Sequence, residues 1–139
     1  MHYLSTRIHF SAYHRLWNPA FSETKNEEIY QECIRGHGHN YILEVTIQGN
    51  TDPHTGMVMD LKKLKHLLKK EVFHFVDHKN LNEDVFFLKG IIPTAENLAT
   101  VFWQLLKPKI TDAKLYRIRL LESENNIAEY YGPEHLSFG

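Results

Sequence analysis

His37 and His39, separated by a single glycine, are the residues whose types and spacing point most directly to chemistry. They precede an alternating apolar run of Leu43, Val45 and Ile47, so we expect a loop that leads into a β-strand. Successive strand side chains point to opposite faces, which would place both imidazoles on one face, about 6–7 Å apart. Such a pair can bind a metal ion, but it also fits two half-exposed strand positions. A catalytic zinc usually has three protein ligands and an open fourth position, so a metal site requires a third histidine.

The third histidine that the pattern offers is His14. Apolar and polar side chains alternate over residues 3–12, which predicts a strand with Ile8 and Phe10 on its apolar face. His14 has the same parity as these two residues, and it therefore falls at the end of that face. Without the downstream pair, a histidine in a surface loop would be the simpler interpretation.

Asp77 and His78 form a second adjacent pair that could handle protons. A carboxylate can fix the tautomer of a neighbouring imidazole and raise its basicity. On local sequence alone, capping of a helix end and turn formation are the simpler explanation of the same residues. The single cysteine, Cys33, follows a long polar connection over residues 17–32, which brings it to within four positions of His37.

The composition bounds the class of protein. At 139 residues, with 42% hydrophobic and 24% charged residues, the sequence predicts one globular domain over residues 1–139. A formal net charge of -1 argues against nonspecific binding of nucleic acid or membrane surfaces. A lone Cys33 excludes an internal disulfide and fits a reducing compartment, and residues 1–10 lack the pattern of a secretory signal. We therefore expect a cytoplasmic protein.

Hydrophobic periodicity predicts the elements that must position these groups. Strands are expected at residues 3–12, continuing toward His14, and at residues 39–48, and later at 114–121 and 127–131 before a short tail. A helix over residues 61–75 would start at the N-cap Asp60 and bury a stripe of Leu61, Leu64, Leu68, Val72 and Phe75. A second helix would start at the N-cap Thr94 and end at Pro108. The order ββααββ favours an α+β fold with an antiparallel sheet.

In the third predicted strand, strict alternation places Tyr116 on the same face as Ile118 and Leu120. Leu115, Arg117, Arg119 and Leu121 would then lie on the opposite face.

Six segments in the same order carry a resemblance over nearly the whole chain. They are FSAYHRL at residues 10–16, HGHNY at 37–41, DPHTGMVMDL at 52–61, DHKNLN at 77–82, PTAEN at 93–97 and ESENN at 122–126. Together they resemble the 6-pyruvoyl-tetrahydropterin synthase and 6-carboxytetrahydropterin synthase family. The resemblance implies a T-fold subunit, in which two helices pack on one face of a four-stranded antiparallel sheet. It also implies trimers whose sheets join into a barrel, which can pair as hexamers. A barrel would remove the unpaired sheet edges of an isolated subunit.

The resemblance also implies roles for individual residues. Zinc would be bound by His14, His37 and His39, and the acid/base groups would be Cys33, Asp77 and His78. Glu122 would bind the guanidine-like edge of a pterin ring through two parallel hydrogen bonds. Thr94, Glu96 and the neighbouring backbone would complete the pocket from the adjacent subunit, because active sites in this family lie at subunit interfaces. Arg15 and Lys79 are candidates for contacts with the triphosphate.

Both reactions of the family start from 7,8-dihydroneopterin triphosphate. Only Ile34, Arg35 and Gly36 separate Cys33 from His37, a spacing typical of the bacterial carboxy-forming enzymes of queuosine synthesis. Residues 52–61 and 122–126 look closer to the pyruvoyl-forming type. From the spacing we expect 6-carboxy-5,6,7,8-tetrahydropterin, with release of acetaldehyde and triphosphate. The alternatives are a 6-pyruvoyl-tetrahydropterin synthase of a tetrahydrobiopterin-type pathway and a non-catalytic pterin- or purine-binding T-fold protein.

A zinc hydrolase is a further alternative from a different class of enzyme. It is disfavoured because no carboxylate adjoins the histidines with the spacing that zinc proteases use.

Overall fold

Two long antiparallel strands, β1 (His2–His14) and β2 (His37–Gly49), form the centre of the sheet in the computed structural model, which describes residues 1–133. The short β3 (Lys79–Asn80) pairs parallel to β1 at one edge. On the other side, β4 (Lys114–Leu121) pairs antiparallel with β2, and β5 (Ile127–Tyr130) pairs antiparallel with β4. The sheet order is β3-β1-β2-β4-β5. The expected α+β fold with four antiparallel strands is confirmed. The additional strand β3 was not predicted, because two residues are too few to show an alternating pattern.

Four α-helical segments accompany the sheet: α1 (Glu23–Tyr30), α2 (Leu61–Leu68), α3 (His74–Val76) and α4 (Ala95–Leu106). A π-helical stretch, Lys69–Phe73, joins α2 to α3, so these segments form one continuous rod that corresponds to the first predicted helix. Asp60 and Thr94 cap α2 and α4, as predicted. The short tail that was expected at the C-terminus lies outside the described residues, which end at position 133.

The π-helical stretch changes which residues of the first predicted helix are buried. Leu64, Leu68, Val72 and Val76 are fully buried, whereas Leu61 is exposed and Phe75 is only partly buried. In a regular α-helix, residues four apart drift around the axis by about 40° per step. The wider π turn offsets this drift and keeps a spacing of four on one face. The predicted stripe was therefore wrong at Leu61, whereas Phe75 packs against the core but is less buried than Val76.

A β-bulge in β4 alters the predicted faces of that strand. Thr46 pairs with Arg117 and Ile47 pairs with Leu115, so Tyr116 is the extra residue. Leu115 is consequently buried on the same side as Ile118 and Leu120, while the ring of Tyr116 lies 4.7 Å from that of Tyr3. The prediction that Tyr116 shares the face of Ile118 was wrong because strict alternation ignored the bulge.

The hydrophobic core lies between one face of the sheet and the helices. The apolar residues of β1 and β2 that alternation predicted are buried there, and the ring of Phe10 stacks on that of Tyr41. The residues of β2 on the other face of the sheet do not belong to this core. One of them, Glu44, is nevertheless buried. Its oxygens lie 2.8–3.4 Å from the guanidinium groups of Arg7, Arg117 and Arg119. Among residues 1–133, no helix has both the length and the apolar character that a membrane span needs.

Candidate active site

The register of β1 and β2 brings the three predicted metal ligands together. His14 pairs directly with His37, and His39 lies two residues further along β2 on the same face. The centroids of their rings are 4.5–5.2 Å apart. Glu122, the first residue after β4, completes the group, and the ligand atoms of all four residues lie within 4.8 Å of one another. The position of Glu122 beside the histidines was not expected from the sequence, because it depends on the pairing of β2 with β4.

A hydrogen bond to the backbone carbonyl of Pro93 fixes the ring of His14. Its Nδ1 lies 2.7 Å from the carbonyl oxygen of Pro93, which can only accept a hydrogen bond, so Nδ1 carries the proton. Nε2 is then the nitrogen with a free lone pair. This is the arrangement that metal-binding histidines generally show, with the second ring nitrogen held by a carbonyl or carboxylate group. His14 is 2% exposed, so this orientation is also enforced by packing.

Burial favours the neutral form of His14 and His39. Desolvation lowers the pKa of His14 and of His39 below the ordinary value, and the negative charge of Glu122 opposes this effect only in part. Nε2 of His39 is buried and has no hydrogen-bond partner among the described residues. It lies 3.3 Å from Oε1 of Glu122, but without the geometry of a hydrogen bond. A buried nitrogen without a partner is expected of a metal ligand.

The donor set fits zinc. Imidazole nitrogens and a carboxylate oxygen are ligand types that Zn²⁺ takes in proteins, and neutral histidines are the form that binds it. No sulfur belongs to the group of ligand atoms in the described part of the chain, so Cys33 lies outside it. The site therefore offers three nitrogens and one carboxylate.

Tyr41 lies next to the histidines, on the same face of β2 as His37 and His39. Its hydroxyl group is 3.3 Å from Nδ1 of His14. Burial raises the pKa of Tyr41, and the charge of Glu122 raises it further, so the hydroxyl stays protonated. Alternation could not predict this contact, because it indicates the face on which a residue lies but not its neighbours on the adjacent strands.

Asp77 and His78 lie at the outer edge of β1. Nδ1 of His78 is 2.7 Å from Oδ2 of Asp77, and the backbone N–H of Ser11 donates a hydrogen bond to Oδ1 of Asp77. Partial desolvation raises the pKa of Asp77, but these two hydrogen bonds outweigh it and hold the pKa below its usual value. His78 has a φ of 59°, a left-handed conformation that is uncommon outside glycine. Its N–H donates to the carbonyl of Ser11, which holds it there.

His78 lines a cavity of about 340 Å³ at the end of β1 and β2. The side chain of His78 is 80% exposed, so it can reach a ligand there. The other polar and aromatic residues of the wall are Ser11, Tyr13, His39, Asn40 and Lys79. In β1, Ser11 and Tyr13 have the opposite parity to His14, so their side chains belong to the other face of the sheet, although the metal-ligand candidate His39 also lines this cavity.

Cys33 lies in a 3₁₀ turn, Gln31–Arg35, that follows α1. It is half-buried, and its carbonyl oxygen accepts a hydrogen bond of 2.9 Å from the backbone N–H of Leu16. The structure thus ties the backbone of Cys33 to the end of β1 without placing its sulfur among the metal-binding groups.

The predicted substrate-binding residues have different environments. The hydroxyl of Thr94 accepts a hydrogen bond from the N–H of Asn97 as the cap of α4, and Glu96 is exposed in the first turn of that helix. The backbone of Pro93, the residue before Thr94, accepts a hydrogen bond from His14. The start of α4 therefore lies beside the histidines of the same chain.

The two candidates for contacts with the triphosphate also differ. The guanidinium of Arg15 lies 4.8 Å from the ring centre of Trp17, and its Nε is buried without a hydrogen-bond partner in the described residues. Lys79 is exposed in β3.

Comparison with known proteins identifies the family. The sequence model of the family described as 6-pyruvoyl tetrahydropterin synthase matches residues 3–133. The chain belongs to the 6-pyruvoyl tetrahydropterin synthase family. The relatives of this family include a 6-pyruvoyl tetrahydrobiopterin synthase from Dictyostelium discoideum, 46% identical over 129 residues, with 93% of this chain and 95% of the relative covered. A 6-carboxy-5,6,7,8-tetrahydropterin synthase from Aquifex aeolicus is 28% identical over 156 residues, with 91% and 96% covered.

A solved structure of the family supports the fold. The 6-pyruvoyl tetrahydropterin synthase of Caenorhabditis elegans superimposes with a TM-score of 0.88 at 38% identity, and the match covers 94% of each chain. The T-fold expected from the resemblance is therefore confirmed for the subunit.

Proposed function

We propose that this chain is a zinc-dependent 6-pyruvoyl-tetrahydropterin synthase, which eliminates triphosphate from 7,8-dihydroneopterin triphosphate and rearranges the side chain. The observation that carries the proposal is the convergence of His14, His37, His39 and Glu122 within 4.8 Å in a chain of this family. Three imidazoles beside a carboxylate offer a metal site and an acceptor for a pterin ring in one place.

The relatives favour the pyruvoyl-forming reaction over the carboxy-forming reaction that the spacing of Cys33 and His37 favoured. Identity is 46% to the Dictyostelium protein of the pyruvoyl type and 28% to the Aquifex protein of the carboxy type. The short connection between Cys33 and His37 remains the specific observation in favour of the carboxy-forming reaction, which we keep as the second candidate.

We assign zinc binding to His14, His37 and His39. Bound zinc would supply Lewis-acid chemistry, because a cation on the substrate's side-chain oxygens makes a proton on the adjacent carbon easier to remove. The hydrogen bond from Nδ1 of His14 to Pro93 turns the Nε2 lone pair toward this site.

We assign proton transfer to Cys33, Asp77 and His78. Asp77 remains ionised because its pKa is held below the usual value, and it accepts a hydrogen bond from Nδ1 of His78. Nε2 of His78 is then free to accept or donate a proton, as in other carboxylate–histidine pairs. Cys33, acting as the thiolate, is the base that takes a proton from the substrate and becomes the thiol.

We assign substrate recognition to Glu122. Two parallel hydrogen bonds from the guanidine-like edge of the pterin match the two oxygens of a carboxylate. Glu122 lies within 4.8 Å of the histidines, so a ring bound there would place its side chain beside the metal. Thr94 and Glu96, at the start of α4, would extend the pocket.

A second copy of the chain would complete this site. Asp77 and His78 lie at the outer edge of β1, and neither belongs to the group of ligand atoms that converge within 4.8 Å in the described residues of one subunit. The sheet also ends in two strands, β3 and β5, that each have one unpaired edge. Pairing between copies would satisfy those edges and bring the two groups together. We therefore propose a homo-oligomer, a trimer or a pair of trimers.

Product analysis tests the proposed function. Zinc-loaded protein is incubated with 7,8-dihydroneopterin triphosphate, and triphosphate, acetaldehyde and the mass of the pterin product are measured. We expect triphosphate without acetaldehyde, and a product that keeps all three side-chain carbons. Release of acetaldehyde would support the carboxy-forming candidate instead, and pterin binding without turnover would support a non-catalytic binding protein.

A further inference from the structure

Tyr13 holds the turn that carries Cys33. Its hydroxyl group donates a hydrogen bond of 3.1 Å to the carbonyl oxygen of Arg35, two residues after the cysteine. Its ring also lies directly against Gly36, where an added Cβ would overlap the Tyr13 hydroxyl oxygen and the ring carbon that bears it. Gly36 has a φ of 78°, so this position favours glycine both for its backbone conformation and for the space that the ring occupies.

A second hydrogen bond attaches the same turn to β1. The N–H of Leu16 donates to the carbonyl oxygen of Cys33 at 2.9 Å. The short connection from Cys33 to His37 is therefore fixed at two points, Cys33 and Arg35, by residues at or just beyond the end of one strand. A shift of the turn would have to break at least one of these contacts, so the strand end determines where the cysteine lies.

The same tyrosine also forms part of the wall of the 340 Å³ cavity that His78 lines. Tyr13 is 38% exposed, so its ring has one side against Gly36 and another side toward this cavity. It is thus a physical link between the turn of Cys33 and the space next to His78.

We propose that Tyr13 is a positioning residue that sets the place of Cys33 relative to the end of β1, which carries His14. The proposal rests on the proposed function, because it takes Cys33 as the base of the reaction. Misplacing a reacting group by about 1 Å can lower a rate by about a hundredfold while substrate binding is kept. Loss of Tyr13 should therefore lower kcat far more than it changes KM.

The test compares Tyr13→Ala, which removes both the ring and the hydrogen bond, with Tyr13→Phe, which removes only the hydrogen bond. Because Cys33 is the single cysteine, its rate of alkylation by iodoacetamide reports on this one thiol. We expect Tyr13→Ala to raise the alkylation rate at fixed pH and to lower kcat by about tenfold or more, with KM and zinc content within about twofold of wild type. Tyr13→Phe should show a smaller change in the same direction.

Tyr3→Phe is the matched control, since Tyr3 is also an exposed tyrosine of β1 but its ring packs against Tyr116 at the far end of the strand. It should leave alkylation and kcat unchanged. Wild-type alkylation and kcat in Tyr13→Ala would overturn the proposal. Alkylation does not depend on turnover, so the two proposals can fail separately. If the wild-type protein has no synthase activity, the proposed function is contradicted, and faster alkylation of Tyr13→Ala would still support the positioning role of Tyr13.

A double-mutant cycle tests the contact between Tyr13 and Gly36 directly. Gly36→Ala should accelerate alkylation of Cys33, because the new methyl group collides with the tyrosine ring. In the Tyr13→Ala background the collision is absent, and the same substitution should accelerate alkylation less. Equal effects in both backgrounds would show that Tyr13 and Gly36 act independently and would overturn the proposal.

Discussion

At the scale of single residues, the candidate site depends on a few hydrogen bonds that settle the protonation of its groups. The Pro93 carbonyl fixes the tautomer of His14, and Ser11 keeps Asp77 in place beside His78. Burial then favours the neutral form of His14 and His39. Under the proposed function, these contacts would prepare His14 to bind a cation and His78 to exchange a proton.

The histidine cluster predicts how zinc binding depends on pH. The pKa values of His14 and His39 are lowered below 6.5, so both rings remain neutral at pH 6.5 and gain protons only at lower pH. Protons then compete with zinc, so we expect full zinc content from pH 7.5 down to about 6 and loss below it. Dialysis across this range followed by metal analysis measures the effect. His14→Ala should lose zinc at every pH, while the exposed His66→Ala should behave as wild type. Zinc retained by His14→Ala would contradict the assignment.

Glu122 can be tested separately from the metal ligands. In Glu122→Gln an amide donor would face the donors of the pterin, and unpaired buried groups cost about 1–3 kcal/mol. We expect KM to rise by about tenfold to a hundredfold with unchanged zinc content. Glu124→Gln, an exposed neighbour in the same turn, should change neither quantity. Loss of zinc from Glu122→Gln but not from Glu124→Gln would show that the carboxylate of Glu122 is a metal ligand.

At the scale of the elements, alternation was sufficient for β1 and β2, whose core residues fall at every second position from Ile8 to Ala12 and from Tyr41 to Ile47. It also placed His14, His37 and His39 together, since parity determines the face. It failed where geometry departs from a simple period, as in the bulge at Tyr116 and the π-helical stretch Lys69–Phe73. Helix α1 was missed because its one buried residue is polar, so it has no apolar stripe to recognise.

That buried residue, Asn26, leads to a prediction about the segment before Cys33. Its side-chain amide donates to the carbonyl groups of Asn18, Phe21 and Ser22, and its oxygen accepts from the N–H of Asn18. Asn26→Asp keeps the size but loses the donors, which should cost about 1–3 kcal/mol in local stability. Hydrogen exchange of residues 18–30 should then be faster, whereas Glu27→Ala, at an exposed neighbour, should not change it. Unaltered exchange in Asn26→Asp would contradict the role of this network.

At the scale of the whole molecule, one subunit leaves a polar sheet face outside its core. Glu44 is only 6% exposed although it belongs to that face, because three arginines surround it. The distances that could not be predicted from sequence are those between remote segments, such as Pro93 to His14 and Glu122 to His39. They follow from sheet order and helix packing rather than from any local pattern.

Mixing two inactive variants tests whether the site is shared between copies. Cys33→Ala and His78→Ala each remove one proton-transfer group, so each homo-oligomer should be inactive. If one copy supplies Cys33 and its neighbour supplies His78, random reassembly of a one-to-one mixture should restore about one site in four, because each interface pairs independently chosen copies. Recovered activity after mixing, together with a trimer or hexamer by light scattering, is the expected result. A monomer, or a mixture that stays inactive, would contradict a shared site.

X-ray absorption at the zinc edge tests the central claim most directly, which is that three histidines form a catalytic zinc site separate from the cysteine. For zinc-loaded protein at pH 7.5 we predict one zinc per chain with three imidazole nitrogens at about 2.0–2.1 Å and one oxygen ligand. Zinc content should fall in His37→Ala, whereas zinc content and imidazole scattering should stay unchanged in Cys33→Ala. A sulfur ligand at about 2.3 Å, or zinc bound without imidazole scattering, would contradict the account.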